Sequence, residues 1–362
     1  MSTFLDELMN NACNNVKLHG HEKNYLSKCK NYLIDIIKDL LGHKYDIEII
    51  NQGSYATHTQ IYVSSDTDFD IDIGILFKNI QHNITPHMLR NVIYKLLLKD
   101  ERVKKDFKYV NNGTICVKVF LRAKHSNIKI KFEICVYKFS SDILHFGLGG
   151  QYKNIWKADD KKTQMTNIKA KIAEFPILRK FIIFLKCFVS GNEKIKNCFK
   201  SIIITELFVQ YYKKKFKNFE ESLQIIFVLQ DALDSLCKKN GYYLNTSGQI
   251  NENLLDNEFR QINRNLFIDC LESIVVDFYQ VYSHGNINKC EIIYDNYSFS
   301  SASALCPKLI YALYNSTHPI NRCKINKTIE SYLECENKLN CTNCGIRGHT
   351  SKKCLLSYKM VY

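Results

Sequence analysis

The stretch Asp68-Phe69-Asp70-Ile71-Asp72-Ile73-Gly74 constrains this chain more than any other. Alternation of acidic and apolar residues is the period of a β-strand, in which every second side chain shares a face. Phe69, Ile71 and Ile73 are therefore expected to point into a core, with Asp68, Asp70 and Asp72 on the opposite face. Three carboxylates spread over roughly 14 Å of one strand repel one another and resist burial. A divalent cation removes that penalty, and Mg²⁺ takes carboxylate oxygens together with substrate phosphates.

A second strand, over 127–139, repeats the logic. Ile128, Ile130, Phe132, Ile134 and Val136 make an apolar face, and Lys129, Lys131, Glu133, Cys135 and Tyr137 make the other. If the two strands are neighbours, Glu133 stands beside the aspartates and completes a three-carboxylate, two-metal site. In such a site one ion lowers the pKa of an attacking hydroxyl and the other neutralises a triphosphate leaving group. Upstream lies Gly53-Ser54-Tyr55-Ala56-Thr57-His58-Thr59, a Gly-Ser turn opening a helix. Its backbone N–H groups and hydroxyl suit phosphate oxygens. Alone the pair is a common turn former, but Asp70 follows Ser54 by 16 residues. A solvated acidic edge strand does not explain that ordered succession of turn, acidic strand and third acid.

The run from Asn51 to Phe77, NQGSYATHTQIYVSSDTDFDIDIGILF, resembles the Gly-Ser and D-x-D signature of the cyclic GMP-AMP synthase/bacterial CD-NTase family, relatives of the oligoadenylate synthases. KFEICVYKF is similar to that family's strand carrying the third acid, LRKFIIFLKCF to its Lys-bearing helix, and KSIIITELF to its Ser-headed helix. The resemblance covers roughly residues 20–215, its specific part being 51–77. It implies that Gly53 and Ser54 hold the triphosphate, that Asp70 and Asp72 bind metal, and that Glu133 takes the third acidic position. Lys186 and Ser201 would contact phosphates. Read without the resemblance, Lys186 is equally a snorkelling surface lysine and Ser201 a helix N-cap. The chain departs from the family in carrying Glu133 where Asp is usual, a side chain one C–C bond longer.

The resemblance further implies a template-independent nucleotidyltransferase using nucleoside triphosphates and two Mg²⁺ or Mn²⁺ ions. Its product would be a cyclic di- or oligonucleotide messenger in antiviral or antiphage signalling. Two other readings use the same residues. One is an RNA-tailing uridylyl- or adenylyltransferase; the other is a catalytically silent nucleic-acid sensor.

Hydrophobic periodicity makes residues 1–42 helical, 45–139 a series of short strands with a helix at 84–99, and the chain beyond about 165 helical. Ile168, Ile172, Phe175, Leu178, Ile182 and Leu185 read as one amphipathic helix. The expected fold is therefore α+β: a polymerase-β-like nucleotidyltransferase lobe with a mixed sheet over 1–165 and a helical lobe over 166–333. A tail follows over 334–362.

That tail contains Cys341-x₂-Cys344-x₄-His349-x₄-Cys354, with Gly345 and Gly348 at the turns. Four ligands at this spacing close tetrahedrally on one structural Zn²⁺, and the segment resembles a retroviral-type zinc knuckle. A formal net charge of +14 favours polyanionic partners, and a double-stranded DNA or RNA activator fits it. A Lys-rich solvated surface accounts for the same charge. The N-terminal residues carry no export signature, so the 15 cysteines are expected as reduced thiols in the cytoplasm, the nucleus being the other compartment that fits. The longest apolar stretch, Phe181 to Val189, is short and interrupted by Lys186, and reads as a buried helix instead of a membrane span.

Overall fold

The computed structural model describes residues 4–16, 20–61, 68–121, 129–140, 143–148, 155–159, 161–190, 193–238, 244, 247, 254–255 and 263–284. The chain divides into two compact units. One is Lys17–Ala173 with Ser247–Asn251; the other is Met1–Val16, Glu174–Thr246 and Glu252–Tyr362. In chain order the elements are α1 (Phe4–Asn15), α2 (Gly20–Gly42), β1 (Ile47–Asn51), α3 (Gly53–Thr57), β2 (Asp68–Phe77), α4 (Pro86–Lys99) and α5 (Glu101–Asp106). Then come β3 (Phe107–Asn112), β4 (Val117–Leu121), β5 (Lys129–Ser140), β6 (Ile143–Gly147), β7 (Trp156–Ala158) and α6 (Lys161–Glu174). The last five helices are α7 (Ile177–Ser190), α8 (Glu193–Lys196), α9 (Ser201–Tyr211), α10 (Glu221–Lys238) and α11 (Arg264–His284).

The first unit is an α+β layer built on a seven-stranded mixed sheet in the order β1-β2-β5-β4-β3, with β6 and β7 extending from β5. Only β2 and β5 run parallel among the described pairs; the others are antiparallel. The alternation expected from the sequence is present. Phe69, Ile71, Ile73, Ile75 and Phe77 of β2 and Ile130, Phe132, Ile134 and Val136 of β5 are buried in one core. Leu33, Ile36 and Ile37 of α2 and Leu89, Ile93 and Leu97 of α4 pack onto the same face. Each spacing returns a side chain to one stripe of its helix. Thr85 caps α4, its hydroxyl accepting from the Met88 amide at 3.3 Å, with Pro86 in the first turn.

The second unit is helical. α7 is buried nearly all round, from Leu178 through Val189, as a central bundle helix must be. α1 belongs here: the Asp6 carboxylate accepts the Ser222 amide at the start of α10 at 2.8 Å, and the Cys13 thiol donates to the Lys180 carbonyl at 3.4 Å. The single amphipathic helix read over Ile168 to Leu185 is two helices, α6 and α7. Pro176 separates them, because proline lacks the N–H that would continue α6 and disfavours the helical conformation at Phe175. The next helix starts at once, with Leu178 N–H donating to the Phe175 carbonyl at 3.0 Å. Likewise the N-terminal helical segment is two helices, α1 and α2. No described helix is long and apolar enough to cross a membrane.

Candidate active site

β2 and β5 lie side by side in parallel register, pairing Asp70 with Lys131, Ile71 with Phe132, Asp72 with Glu133 and Ile73 with Ile134. Residues paired this way point to the same face. Burial of Ile71, Phe132, Ile73 and Ile134 below the sheet puts Asp70, Asp72, Lys131 and Glu133 above it. Asp68 pairs with Lys129 at the head of the same two strands.

β1 runs antiparallel to β2, with Asn51 opposite Ile73, and delivers the chain into the Gly-Ser turn beside the acidic face. Gly53 adopts φ +71°, the left-handed region open to glycine. A Cβ added there would lie 1.8 Å from Oδ2 and 2.7 Å from Cγ of Asp72. The turn's backbone thus rests directly on the Asp72 carboxylate, an approach only a residue without a side chain permits. Below the turn, Gln52 is buried and accepts a 2.7 Å hydrogen bond from the Tyr137 hydroxyl. The Tyr137 ring reaches that position across Gly74, where a Cβ would meet ring atom Cε2 at 3.0 Å. Ser54 is half-buried in the first turn of α3. The helix closes with Thr57 Oγ1 donating to the Ser54 carbonyl at 3.2 Å and with His58 exposed in the left-handed conformation, φ 55°.

Two lysines lie among the carboxylates. The Lys131 ammonium is 3.0 Å from Asp70 Oδ1 and 3.1 Å from Glu133 Oε1, and the Lys118 ammonium is 3.5 Å from Glu133 Oε1. Burial disfavours the charged form of Lys131, but its hydrogen bond to Asp70 and the charges of Asp70 and Glu133 outweigh it and raise the pKa. Asp72 is pushed up to about 6, first by burial and then by the neighbouring charge of Glu133, with Lys161, at the start of α6, pulling the other way. Among the described residues no three His, Cys, Asp or Glu side chains close around a point as metal ligands do. Lysine stands between the acids instead.

Beyond Glu133 the upper face of β5 changes character. Cys135 and Tyr137, expected on the polar side, are buried in a second apolar cluster with Ile50, Leu76, Cys116 and Leu144. Tyr137 of this cluster makes the hydrogen bond to Gln52, the residue that precedes the turn. Gln52, Lys118, Lys131 and Tyr137 belong to no motif that marks them in the sequence. A glycine at position 74, inside a strand, was the available sign that something approaches closely there.

Lys186 and Ser201 belong to the helical unit. Lys186 is buried in α7 with its pKa lowered to about 7 by burial, Cys187 opposing the shift. Ser201 is exposed at the first turn of α9, where Lys200 is the N-cap residue; the Ser201 carbonyl accepts the Thr205 hydroxyl at 2.9 Å. The zinc-knuckle residues Cys341, Cys344, His349 and Cys354 lie outside the described residues.

Residues 47–132 match the family described as cyclic GMP-AMP synthase DncV-like, nucleotidyltransferase domain. No curated protein matches the chain. Among solved structures it is similar to the Vibrio cholerae DncV cyclic AMP-GMP synthase in complex with a linear intermediate. That likeness has TM-score 0.57 and 13% identity over 85% of this chain and 94% of that one. It is also similar to the Elizabethkingia meningoseptica CdnE cyclic dinucleotide synthase with GTP and Apcpp, with TM-score 0.51 and 15% identity over 67% and 89%. A third likeness is to Escherichia coli CdnC in its HORMA complex, with TM-score 0.52 and 14% identity over 74% and 88%. At these identities the structural likeness concerns the fold, and the match over 47–132 spans both the Gly-Ser turn and the acidic strand. Over residues 47–132 the chain is thus similar to a DncV-like nucleotidyltransferase domain.

Proposed function

We propose that this protein is a template-independent nucleotidyltransferase that builds a cyclic di- or oligonucleotide from nucleoside triphosphates. A ribose hydroxyl attacks the α-phosphate of a bound triphosphate and pyrophosphate leaves. The observation that carries this reading is the contact of the Gly53 backbone with Asp72, itself paired in register with Glu133. The Gly-Ser turn lies against Asp72, the acid paired with Glu133, which supports reading the turn and the acids as one site.

The donors suit a divalent cation. Asp72 is strained toward protonation by burial beside Glu133, and an ammonium already bridges Asp70 and Glu133. Positive charge is what this face is built to receive. Asp70, Asp72 and Glu133 would hold two Mg²⁺ or Mn²⁺ ions, which when bound lower the pKa of the attacking hydroxyl and neutralise the departing pyrophosphate. Gly53 and Ser54 present backbone N–H groups and a hydroxyl to the triphosphate, the first N–H groups of a helix having no intrahelical acceptor. Gln52, anchored by Tyr137, fixes the height of that turn over the carboxylates. Cys341, Cys344, His349 and Cys354 hold one structural Zn²⁺. The setting is cytoplasmic antiviral or antiphage signalling, with double-stranded nucleic acid as activator on the basic surface. The cyclic dinucleotide synthases among the similar structures support the choice of product.

The test is incubation of the protein with all four nucleoside triphosphates and Mg²⁺ or Mn²⁺, with and without double-stranded DNA or RNA, followed by phosphatase and mass spectrometry. A phosphatase-resistant cyclic product, lost in Asp70→Ala/Asp72→Ala, is the expected result. An extended RNA as sole product would replace this reading with RNA tailing. Binding of nucleic acid with no pyrophosphate released would replace it with a silent sensor.

A further inference from the structure

Lys131 stands where two acids of the site converge. Strand alternation puts it on the same face as Glu133, two residues on, and the parallel register puts it opposite Asp70. Its ammonium is 3.0 Å from Asp70 Oδ1 and 3.1 Å from Glu133 Oε1, and its side chain is 16% exposed against 52% for Asp70. A divalent cation held by Asp70 and Glu133 would draw on the carboxylate oxygens that this ammonium already engages. Ammonium and metal therefore compete for these two carboxylates.

We propose that Lys131 is a built-in counter-ion that keeps the Asp70–Glu133 pair closed to a lone divalent cation and yields it when the cation arrives with a triphosphate. The inference rests on the reading above that these carboxylates are metal ligands. Lysine suits the exchange. Its charge is a point on a flexible four-carbon stem, so it can leave one acceptor for another without moving β5. Triphosphate oxygens accept the released ammonium, whereas a bare ion brings no acceptor and leaves that charge uncompensated. Lys118, 3.5 Å from Glu133 Oε1, stays to balance part of the negative charge during the exchange. Lys131 is thus a positioning residue for metal entry, and it keeps the acids from repelling one another before substrate arrives.

The test is Mn²⁺ binding to the full-length protein by electron paramagnetic resonance, without nucleotide and with a non-hydrolysable ATP analogue. It compares wild type with Lys131→Met, Lys131→Gln and Asp70→Asn, each verified as folded by circular dichroism. Without nucleotide, Lys131→Met should bind Mn²⁺ about tenfold more tightly than wild type, the gain expected from removing a half-buried competing charge. With the analogue present the advantage should vanish or reverse, because the phosphate contact of Lys131 is lost as well. Lys131→Gln should behave like Lys131→Met; equal or weaker nucleotide-free affinity in both overturns the proposal. Asp70→Asn should weaken Mn²⁺ binding. If it does so while the Lys131 variants are unchanged, only the counter-ion role fails; if it leaves binding unaltered, the reading of Asp70 as a metal ligand fails first.

Discussion

The Tyr137 hydroxyl donates a 2.7 Å hydrogen bond to Oε1 of Gln52, tying the strand that carries Glu133 to the residue that opens the Gly-Ser turn. Both side chains are buried, so neither has water to fall back on. Tyr137→Phe keeps the ring against Gly74 and removes only the donor. A buried acceptor without its partner costs about 2 kcal/mol. The variant should melt roughly 6 °C lower. Steady-state kinetics should show a raised KM for triphosphate with a smaller change in kcat, the signature of a loosened binding turn.

Gly53→Ala tests the closest contact in the site. The new methyl would sit inside the Asp72 carboxylate, at φ +71° where an L-residue pays roughly 1–2 kcal/mol in addition. Displacing Asp72 by about an ångström should lower kcat on the order of 100-fold while circular dichroism stays native. Wild-type turnover in this variant would mean that the turn does not set the position of Asp72.

Asp72 has a folded-state pKa of about 6, above its value in an unfolded chain. Between about pH 4 and 6 the folded protein holds a proton there that the unfolded chain has released, so this group lowers stability as pH rises through that window. In metal-free protein Asp72→Asn should therefore raise the melting temperature above pH 6, by about 2 °C or more, and give no gain below pH 4. The same substitution should abolish nucleotidyl transfer. Differential scanning fluorimetry across pH in EDTA reads the first effect and pyrophosphate release the second.

Lys186 is shifted the other way, down to about 7 by burial in α7. Below pH 7 the folded protein bears the full cost of a buried ammonium, and the cost fades as pH rises from 7 toward the ordinary lysine value. Lys186→Met should accordingly stabilise the protein most below pH 7 and progressively less above it. If Lys186 also contacts a phosphate, the variant is more stable and less active, with KM for triphosphate increased. Greater stability with unchanged kinetics would leave it a packing residue.

The Cys341, Cys344, His349 and Cys354 spacing predicts one bound zinc per chain, measurable by atomic emission on protein purified without chelator. Cys344→Ser should lose it. Retention of zinc in that variant, or no zinc in the parent, would refute the knuckle.

The amino-acid sequence by itself determined what is local. Period-two alternation made 68–74 and 130–136 strands with one apolar face, because strand geometry allows nothing else for such a pattern. Pro176 ended α6 for a reason visible in one residue, although the helical periodicity running across it concealed the break. Gly53-Ser54 was legible as a turn, yet not its placement on Asp72. That, the parallel pairing of Asp72 with Glu133, the ammonium of Lys131 between two acids, and the bond from Tyr137 to Gln52, 85 residues apart, were decided by the tertiary structure. Strand order and register follow from how two apolar faces pack on shared helices across the whole unit, and no window of sequence contains both partners. Cys135 and Tyr137 show the same division: alternation put them on the polar side of β5, and only their packing with Ile50, Leu76 and Leu144 of neighbouring strands made that side a second core.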